Sequence, residues 1–308
     1  MLVDLHCHTN ASDGALSPEQ LLDRAIACEV DVLAVTDHDT LDGYHCIKRM
    51  LEERFDLSSS EDDRRTIKLI AGIEFSSASA ELRIDNVHIV GLGLDHADSV
   101  FSQFLAEQKQ RRFERAKAIA SKIEDLGVQN PLQKAQDIAA HGEEARSQDN
   151  HDYNNLGRPH FAKLLINEGY VKSMQQAFTR FLGQGKRCYV GLQWPQMEEI
   201  ISVIKSAGGV AVLAHPNRYR LTRTKRNRLI QTFAESGGDA IELISGQQAL
   251  DITADLAKVA ERLGLAISVG SDFHSPEPLI NELGCIGELA DESYPELERV
   301  WQRLLSKT

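Results

Sequence analysis

At 308 residues, with 42% hydrophobic and 26% charged residues, the chain can bury a large core and has the make-up of an ordinary globular protein. No apolar run approaches the roughly 18 residues of a membrane span, and the N-terminus lacks a signal-peptide pattern, so a cytoplasmic protein is expected. The net charge of -12 excludes a wholly basic nucleic-acid-binding surface, and five cysteines without C-x-x-C spacing argue against a disulfide framework or a zinc ribbon.

In chain order, "LVDLH" (Leu2–His6) reads as a strand, and "SPEQ" from Ser17 supplies an N-cap, a helix-starting proline and a capping-box Gln20. "VLAVTDHD" (Val32–Asp39) is a second strand, followed by a helix to about Arg54 and a charged loop from Asp56 that includes the acidic run Ser60–Asp63. "IKLIAGIEFS" and "NVHIVGLGL" are two further strands. Residues 99 to 127 read as one long helix, mostly basic between Lys109 and Lys117; a polar loop (Gly142–Asn155) and two helical runs (Pro159–Asn167, Ser173–Leu182) follow. After Ser206, "GGVAVLAHP", "DAIELIS" and "LAISVGSDFH" are strands separated by helices, and the run Asn217–Arg228 is rich in Arg and Lys with no acid. Near-continuous apolar strands alternating with helices predict an α/β fold with a parallel sheet, open or closed, interrupted by a mainly helical insertion. The implied division is a barrel domain of residues 1–98 and 195–308 and an insertion or cap of 99–194.

Polar residues gather where such folds place their sites, at the C-terminal ends of strands. His6 and His8 end the first strand, with Asp13 just beyond; Asp37, His38 and Asp39 end the second, Glu74 the third; His88 interrupts the fourth; His215, Asp272 and His274 end later ones. Singly, each has an ordinary explanation: a hydrogen-bonded core histidine, a turn aspartate, a carboxylate paired with a base. Together they would require many buried imidazoles without a shared partner, which is costly. Mixed His and carboxylate donors without thiolates suit Zn²⁺, Mn²⁺ or Fe²⁺, and the number of donors exceeds the needs of one ion. A multinuclear site activates water and clamps phosphoryl oxygens. Cys7, between the two histidines, is expected to point into the core.

The motifs "DLHCHTNASDG", "VTDHDT", "GIEFS", "VHIVGLG", "LAHP" and "GSDFH" resemble, in order and across nearly the whole chain, those of the PHP (polymerase and histidinol phosphatase) superfamily of metal-dependent phosphoesterases. The resemblance implies a distorted (β/α)7 barrel with three divalent ions, manganese being the usual expectation and iron or zinc the alternatives. It implies one ion on His6, His8, Glu74 and Asp272, a second on Glu74, His88 and His215, and a third on Asp13, His38 and His274. His215 and Asp272 are given catalytic roles as well as ligand roles. The helical insertion, "GRPHFAKLL", "FLGQGKRCYV" and "AVLAHPNRY" are similar to the branch of 3′,5′-nucleotide bisphosphate phosphatases that also act as 5′-to-3′ exoribonucleases (ribonuclease AM). This implies hydrolysis by a metal-activated hydroxide of nucleotide bisphosphates, or of 5′ nucleotides from short RNA and ribosomal RNA 5′ ends.

Arg158 is the candidate clamp on a substrate phosphate, because a guanidinium fork matches phosphate oxygens. His160, Lys186 and Arg218 are further substrate-binding candidates. The basic run is most simply a solvated helix face, with RNA tracking as the alternative. No membrane and no obligate protein partner is called for. Competing readings are a small-molecule phosphatase of the same superfamily, such as a histidinol-phosphate phosphatase; a metal-dependent amidohydrolase; and a non-catalytic relic. The insertion with Arg158 favours the nucleotide or RNA substrate over the first, and the full set of nine ligands disfavours the others.

Overall fold

The computed structural model describes residues 1–57, 67–140, 155–276, 282–284 and 293–306. The expected loops therefore fall, for the most part, outside the described residues, as does the acidic run Ser60–Asp63. Seven strands form: β1 (Val3–Cys7), β2 (Val32–Val35), β3 (Lys68–Ser79), β4 (Ile84–Leu92), β5 (Val210–Leu213), β6 (Ala240–Ser245) and β7 (Ala266–Gly270). They pair in chain order, and the ring closes just past β7, where Asp272 N–H donates to His6 O at 2.7 Å and His8 N–H to Phe273 O at 2.9 Å. Closure itself thus sets Asp272 and His274 against His6 and His8.

The sequence pattern predicts a parallel sheet, and this is corrected at one strand: β4 runs antiparallel to both β3 and β5. Only residues 80–83 link β3 to β4, far fewer than the dozen or so a parallel crossover needs. The reversal pairs His88 with Ser76, so a residue at the middle of β4 reaches the rim that other strands reach with their C-terminal ends. β3 also overruns that rim, and Glu74 lies within the strand rather than at its end.

Helices α1 (Pro18–Ala27), α2 (Asp42–Leu57), α7 (Met197–Ser206), α8 (Arg223–Glu235), α9 (Leu250–Leu263) and α10 (Val300–Leu305) follow or flank the strands. The expected capping box forms: Ser17 Oγ accepts from Gln20 N–H, and Gln20 Oε1 accepts from Ser17 N–H at 3.0 Å. Cys7 is buried in the apolar layer between the barrel and α1 and α2.

The insertion contains α3 (Ser99–Glu124), α4 (Pro131–Ala139), α5 (Arg158–Asn167) and α6 (Met174–Ala177), with a π-helical turn over Phe178–Leu182 ending the run that reads as one helix. The periodicity does not announce α4, because its buried face is built from Pro131, Ala135 and Ala139, too small to stand out. α3 spans two cores. Phe101 and Phe104 pack with the barrel strands, whereas Ala116, Ile119, Ala120 and Ile123 join the separate cluster of the insertion helices.

Gly270 marks where the barrel is tightest beside the site. A Cβ there would lie 2.2 Å from His6 Cβ and 2.7 Å from Glu242 Oε1. Gly270→Ala is expected to destabilise the fold by about 1–3 kcal/mol, as overpacking does, measured by urea denaturation, and to lower the amount of metal retained.

Candidate metal centre

Glu74 is 1% exposed, and both its oxygens face imidazoles. Oε1 lies 2.8 Å from His88 Nδ1 and 3.0 Å from His215 Nε2; Oε2 lies 3.0 Å from His38 Nδ1, 3.3 Å from His8 Nε2 and 3.4 Å from His6 Nε2. Asp272 Oδ1 stands 3.4 Å from His6 Nε2 and 3.3 Å from His8 Nε2, and these two nitrogens are 3.2 Å apart. Asp13 meets His274 Nε2 at 3.4 Å and His38 Nε2 at 3.8 Å. All nine expected ligands are therefore gathered at one rim. Their grouping is more interwoven than three separate sets: His8 approaches Asp13 as well as Glu74, and His38 stands between Glu74 and Asp13.

The donors fit divalent ions. Two ligands on one ion at about 2.0–2.2 Å, with angles near 90–110°, stand roughly 3.0–3.6 Å apart; the His6, His8, Glu74 and Asp272 contacts fall in that range. Asp13 Oδ1 and His38 Nδ1 are buried and, although 3.4 Å from His274 Nε2 and 3.0 Å from Glu74 Oε2, neither makes a hydrogen bond of good geometry among the described residues, an arrangement that is expensive unless a cation takes the lone pairs. The electrostatics agree. Burial disfavours charge on His6 and His274, yet Glu242, Glu74 and Asp272 push the His6 pKa well above its usual value, and Asp13 with Asp272 pushes His274 up to about 10. His8 and His38 are driven down by burial. The carboxylates thus demand more positive charge than the crowded imidazoles can supply, and the site binds divalent metal.

Residues beyond the nine hold the donors in place. Glu242, on β6, was hidden in an apolar strand and carries no sequence signal beyond being an acid there. It is 2% exposed; its Oε1 accepts from His6 Nδ1 at 3.1 Å and its Oε2 from His215 N–H at 2.5 Å. This fixes the His6 proton on Nδ1 and leaves Nε2 for an ion. Asp37 organises the loop carrying Asp13, accepting from Thr9 N–H, Thr9 Oγ1 and Ser12 Oγ at 2.6–2.8 Å; burial raises its pKa to about 7. The Tyr219 hydroxyl accepts from His88 N–H at 2.8 Å, and the Asn86 amide engages His88 Nε2 at 2.9 Å. Asp39, His215 and Asp272 adopt positive φ (50°, 31° and 52°), backbone strain of about 1–3 kcal/mol each that the surrounding contacts sustain.

The substrate-binding candidates are spread around this centre. Arg218 donates to Asp272 Oδ2 and, at 3.2 Å, to Ser245 O, so it holds a cluster carboxylate. Arg158 begins α5, half-buried over the Phe178 ring at 5.6 Å. His160 is buried and its Nδ1 accepts the Gly157 N–H at 3.0 Å, capping α5. Lys186 is exposed in the turn after the π-helical segment, and its ammonium makes no hydrogen bond or ion pair with the cluster among the described residues. The second half of the basic run, from Arg223, begins α8, where Arg223 and Arg226 pair with Asp255 and Arg228 with Glu81.

An α/β barrel with a buried His and carboxylate cluster at its rim defines a metal-dependent hydrolase. The PHP domain model matches residues 4–264, and the chain belongs to that family; it acts on phosphoester bonds. It is 39% identical over 284 residues to the 5′-3′ exoribonuclease Rnm of Escherichia coli, covering 92% of this chain and 88% of that one. To the 3′,5′-nucleoside bisphosphate phosphatase of Chromobacterium violaceum it is 36% identical over 302 residues, covering 98% and 96%. Among solved structures, an amidohydrolase from Chromobacterium violaceum with bound sulfate and no metal superposes with a TM-score of 0.81 at 34% identity, over 100% of this chain and 97% of that one. No described helix is long and apolar enough to cross a membrane.

Glu242→Gln replaces one acceptor by an NH₂ group, so either His6 or His215 loses its partner. Metal affinity is expected to fall about 10- to 100-fold, measured by chelator competition; an unchanged affinity would remove the orienting role given to Glu242.

Proposed function

We propose that the protein hydrolyses phosphate esters at nucleotide termini, acting on 3′,5′-nucleotide bisphosphates and removing 5′ nucleotides from short RNA or ribosomal RNA 5′ ends. The observation that carries this reading is Glu74, a buried carboxylate shared by five imidazoles, with Asp13 and Asp272 beside it: an arrangement suited to several ions at once. Three ions are proposed, Mn²⁺ first, with Fe²⁺ or Zn²⁺ as alternatives. His6, His8, Glu74 and Asp272 would hold one, Glu74, His88 and His215 a second, and Asp13, His38 and His274 a third. Bound divalent ions supply Lewis acidity toward phosphoryl oxygens and acidify water at the site.

The chain's own groups do the rest. His215 and Asp272 lie where ligand and reacting atoms would meet, each held by a partner, the buried Glu242 and the more exposed Arg218 respectively. Residues 99–194 are proposed to act as a cap on the barrel of 1–98 and 195–308, with Asn155 fastening it to the metal loops: its amide donates to His38 O at 2.7 Å and Ala11 O at 3.0 Å. Arg158, on the cap, is the proposed phosphate clamp; His160, with Nδ1 accepting and its proton therefore on Nε2, is the proposed nearby donor. Lys186 and Arg218 are further proposed substrate contacts. The two relatives, named as an exoribonuclease and a nucleoside bisphosphate phosphatase, support the substrate class. The four described cysteines are free thiols, the state of a reducing compartment, and we place the enzyme in the cytoplasm.

Phosphate release with Mn²⁺ should be seen from 3′,5′-adenosine bisphosphate, with nucleotide release from 5′-phosphorylated RNA. Turnover of histidinol phosphate alone would overturn the reading. A His6→Ala/His8→Ala double variant is expected to be inactive, and Glu74→Gln to lose at least about 10³-fold in kcat.

A further inference from the structure

Barrel and insertion meet along a seam outside the metal centre, and a groove of about 800 Å³ opens there between the β3–β4 hairpin, α3 and residues 192–196. None of the nine ligands lines it. Residues 192–196 run beside the end of β3, where Ala78 N–H donates to Pro195 O at 2.9 Å and Gln196 Oε1 accepts from Ala80 N–H at 2.9 Å. The groove begins at Ala78, four residues past Glu74 on the same strand and therefore roughly 13 Å from it. Two contacts link its lining to the metal ligands. Asn86, next to the lining residue Asp85, engages His88 Nε2 at 2.9 Å. Trp194, also in the lining, has Arg112 over its ring, and Arg112 pairs with Asp39 beside His38.

We propose that this groove binds the nucleotides that follow the one at the metals, so that RNA fills it and a 3′,5′-nucleotide bisphosphate leaves it empty. This rests on the proposed function and adds a place where its two substrate classes part. The lining has the chemistry of single-stranded RNA recognition: Arg83 and Arg111 supply guanidinium planes, Gln193 an amide, Asp85 and Glu199 carboxylates. Unpaired bases stack on guanidinium planes and use donors and acceptors at their edges, which amides and carboxylates match. The arginines are available. Arg83 makes no side-chain hydrogen bond or ion pair among the described residues, and Arg111 pairs there only with Glu107, at 4.0 Å. The hairpin turn presents Arg83, whose N–H donates to Ala80 O at 3.2 Å. A cavity of this size takes a nucleotide, and 13 Å is about four nucleotides at the stacked rise. A chain held by its 5′ end at the metals therefore reaches the groove within its first few residues.

The test compares 5′-phosphorylated oligoribonucleotides of two to six residues with 3′,5′-adenosine bisphosphate, using the Mn²⁺-loaded protein and its Arg83→Gln/Arg111→Gln variant. Both positions are on the surface, and thermal melting checks that the variant folds. In the unaltered protein KM is expected to fall with oligonucleotide length until the groove is filled. The variant is expected to lose that dependence, its KM for the six-residue RNA rising about 10-fold while kcat and the KM for the bisphosphate stay the same. Binding of a 3′-fluorescein six-residue RNA, read by anisotropy with chelator present to prevent cleavage, is expected to weaken by the same factor. No length dependence in the unaltered protein, an unchanged variant, or an equal loss for RNA and bisphosphate overturns the groove. If the anisotropy difference is found but no phosphoester is cleaved, the groove stands and the proposed function fails.

Discussion

The molecule is built around a carboxylate that could not stand alone. Glu74 lies inside a strand, out of water, and burial would drive it toward neutrality were it not ringed by His88, His38, His6 and His215, whose influence pulls its pKa well below the usual range. Those imidazoles are equally out of water and close enough to pile on one another, His8 stacking on His274 at 4.2 Å and His38 meeting His88 at 4.9 Å. Such a group of titratable side chains is unfavourable without shared positive charge among them. The barrel bends its rules to assemble it. One strand is reversed so that His88 arrives, and three ligand-bearing turns accept left-handed backbone at Asp39, His215 and Asp272.

The inserted helices are tied to the same contacts. α3 is anchored in the barrel core at Phe101 and Phe104, holds Asp39 of the loop after β2 through Gln108 and Arg112 and Asp42 at the start of α2 through Lys109, and only then enters the core of the insertion. Asp39, the residue that Arg112 holds, also accepts from Ser76 N–H and follows His38 directly. A shift of the cap therefore bears on the backbone next to a metal donor. The insertion helices are positioned by the same contacts that position the ligands.

Much of this could be read in the sequence because it is written in local pattern. Seven apolar runs gave seven strands, and "SPEQ" gave a helix start, since both depend on neighbours a few residues away. The nine residues gathered at the rim stood out by their position, at or just beyond strand ends or interrupting a strand. The direction of β4 was misread although the four-residue link after Ser79 already forbids a crossover; there the signal was present and the α/β rhythm masked it. Glu242 was beyond reach, because an acid in "DAIELIS" looks the same whether it faces solvent or holds His6 from behind. The pairing of Arg223 and Arg226 with Asp255 joins two helices, information that no window of sequence contains.

That pairing also relocates the positive charge. By composition the basic run of α8 is the obvious place for an anionic substrate in a protein of net charge -12, yet Asp255 and Glu81 already engage its arginines. Arg115 and Arg158, on the inserted helices, have no carboxylate partner among the described residues; they are partly shielded from water and packed on aromatic rings. Screening by salt is weak in such a place and strong on an exposed helix. In an acidic protein, a few poorly screened charges can therefore determine the local field where the remote surplus of carboxylates does not.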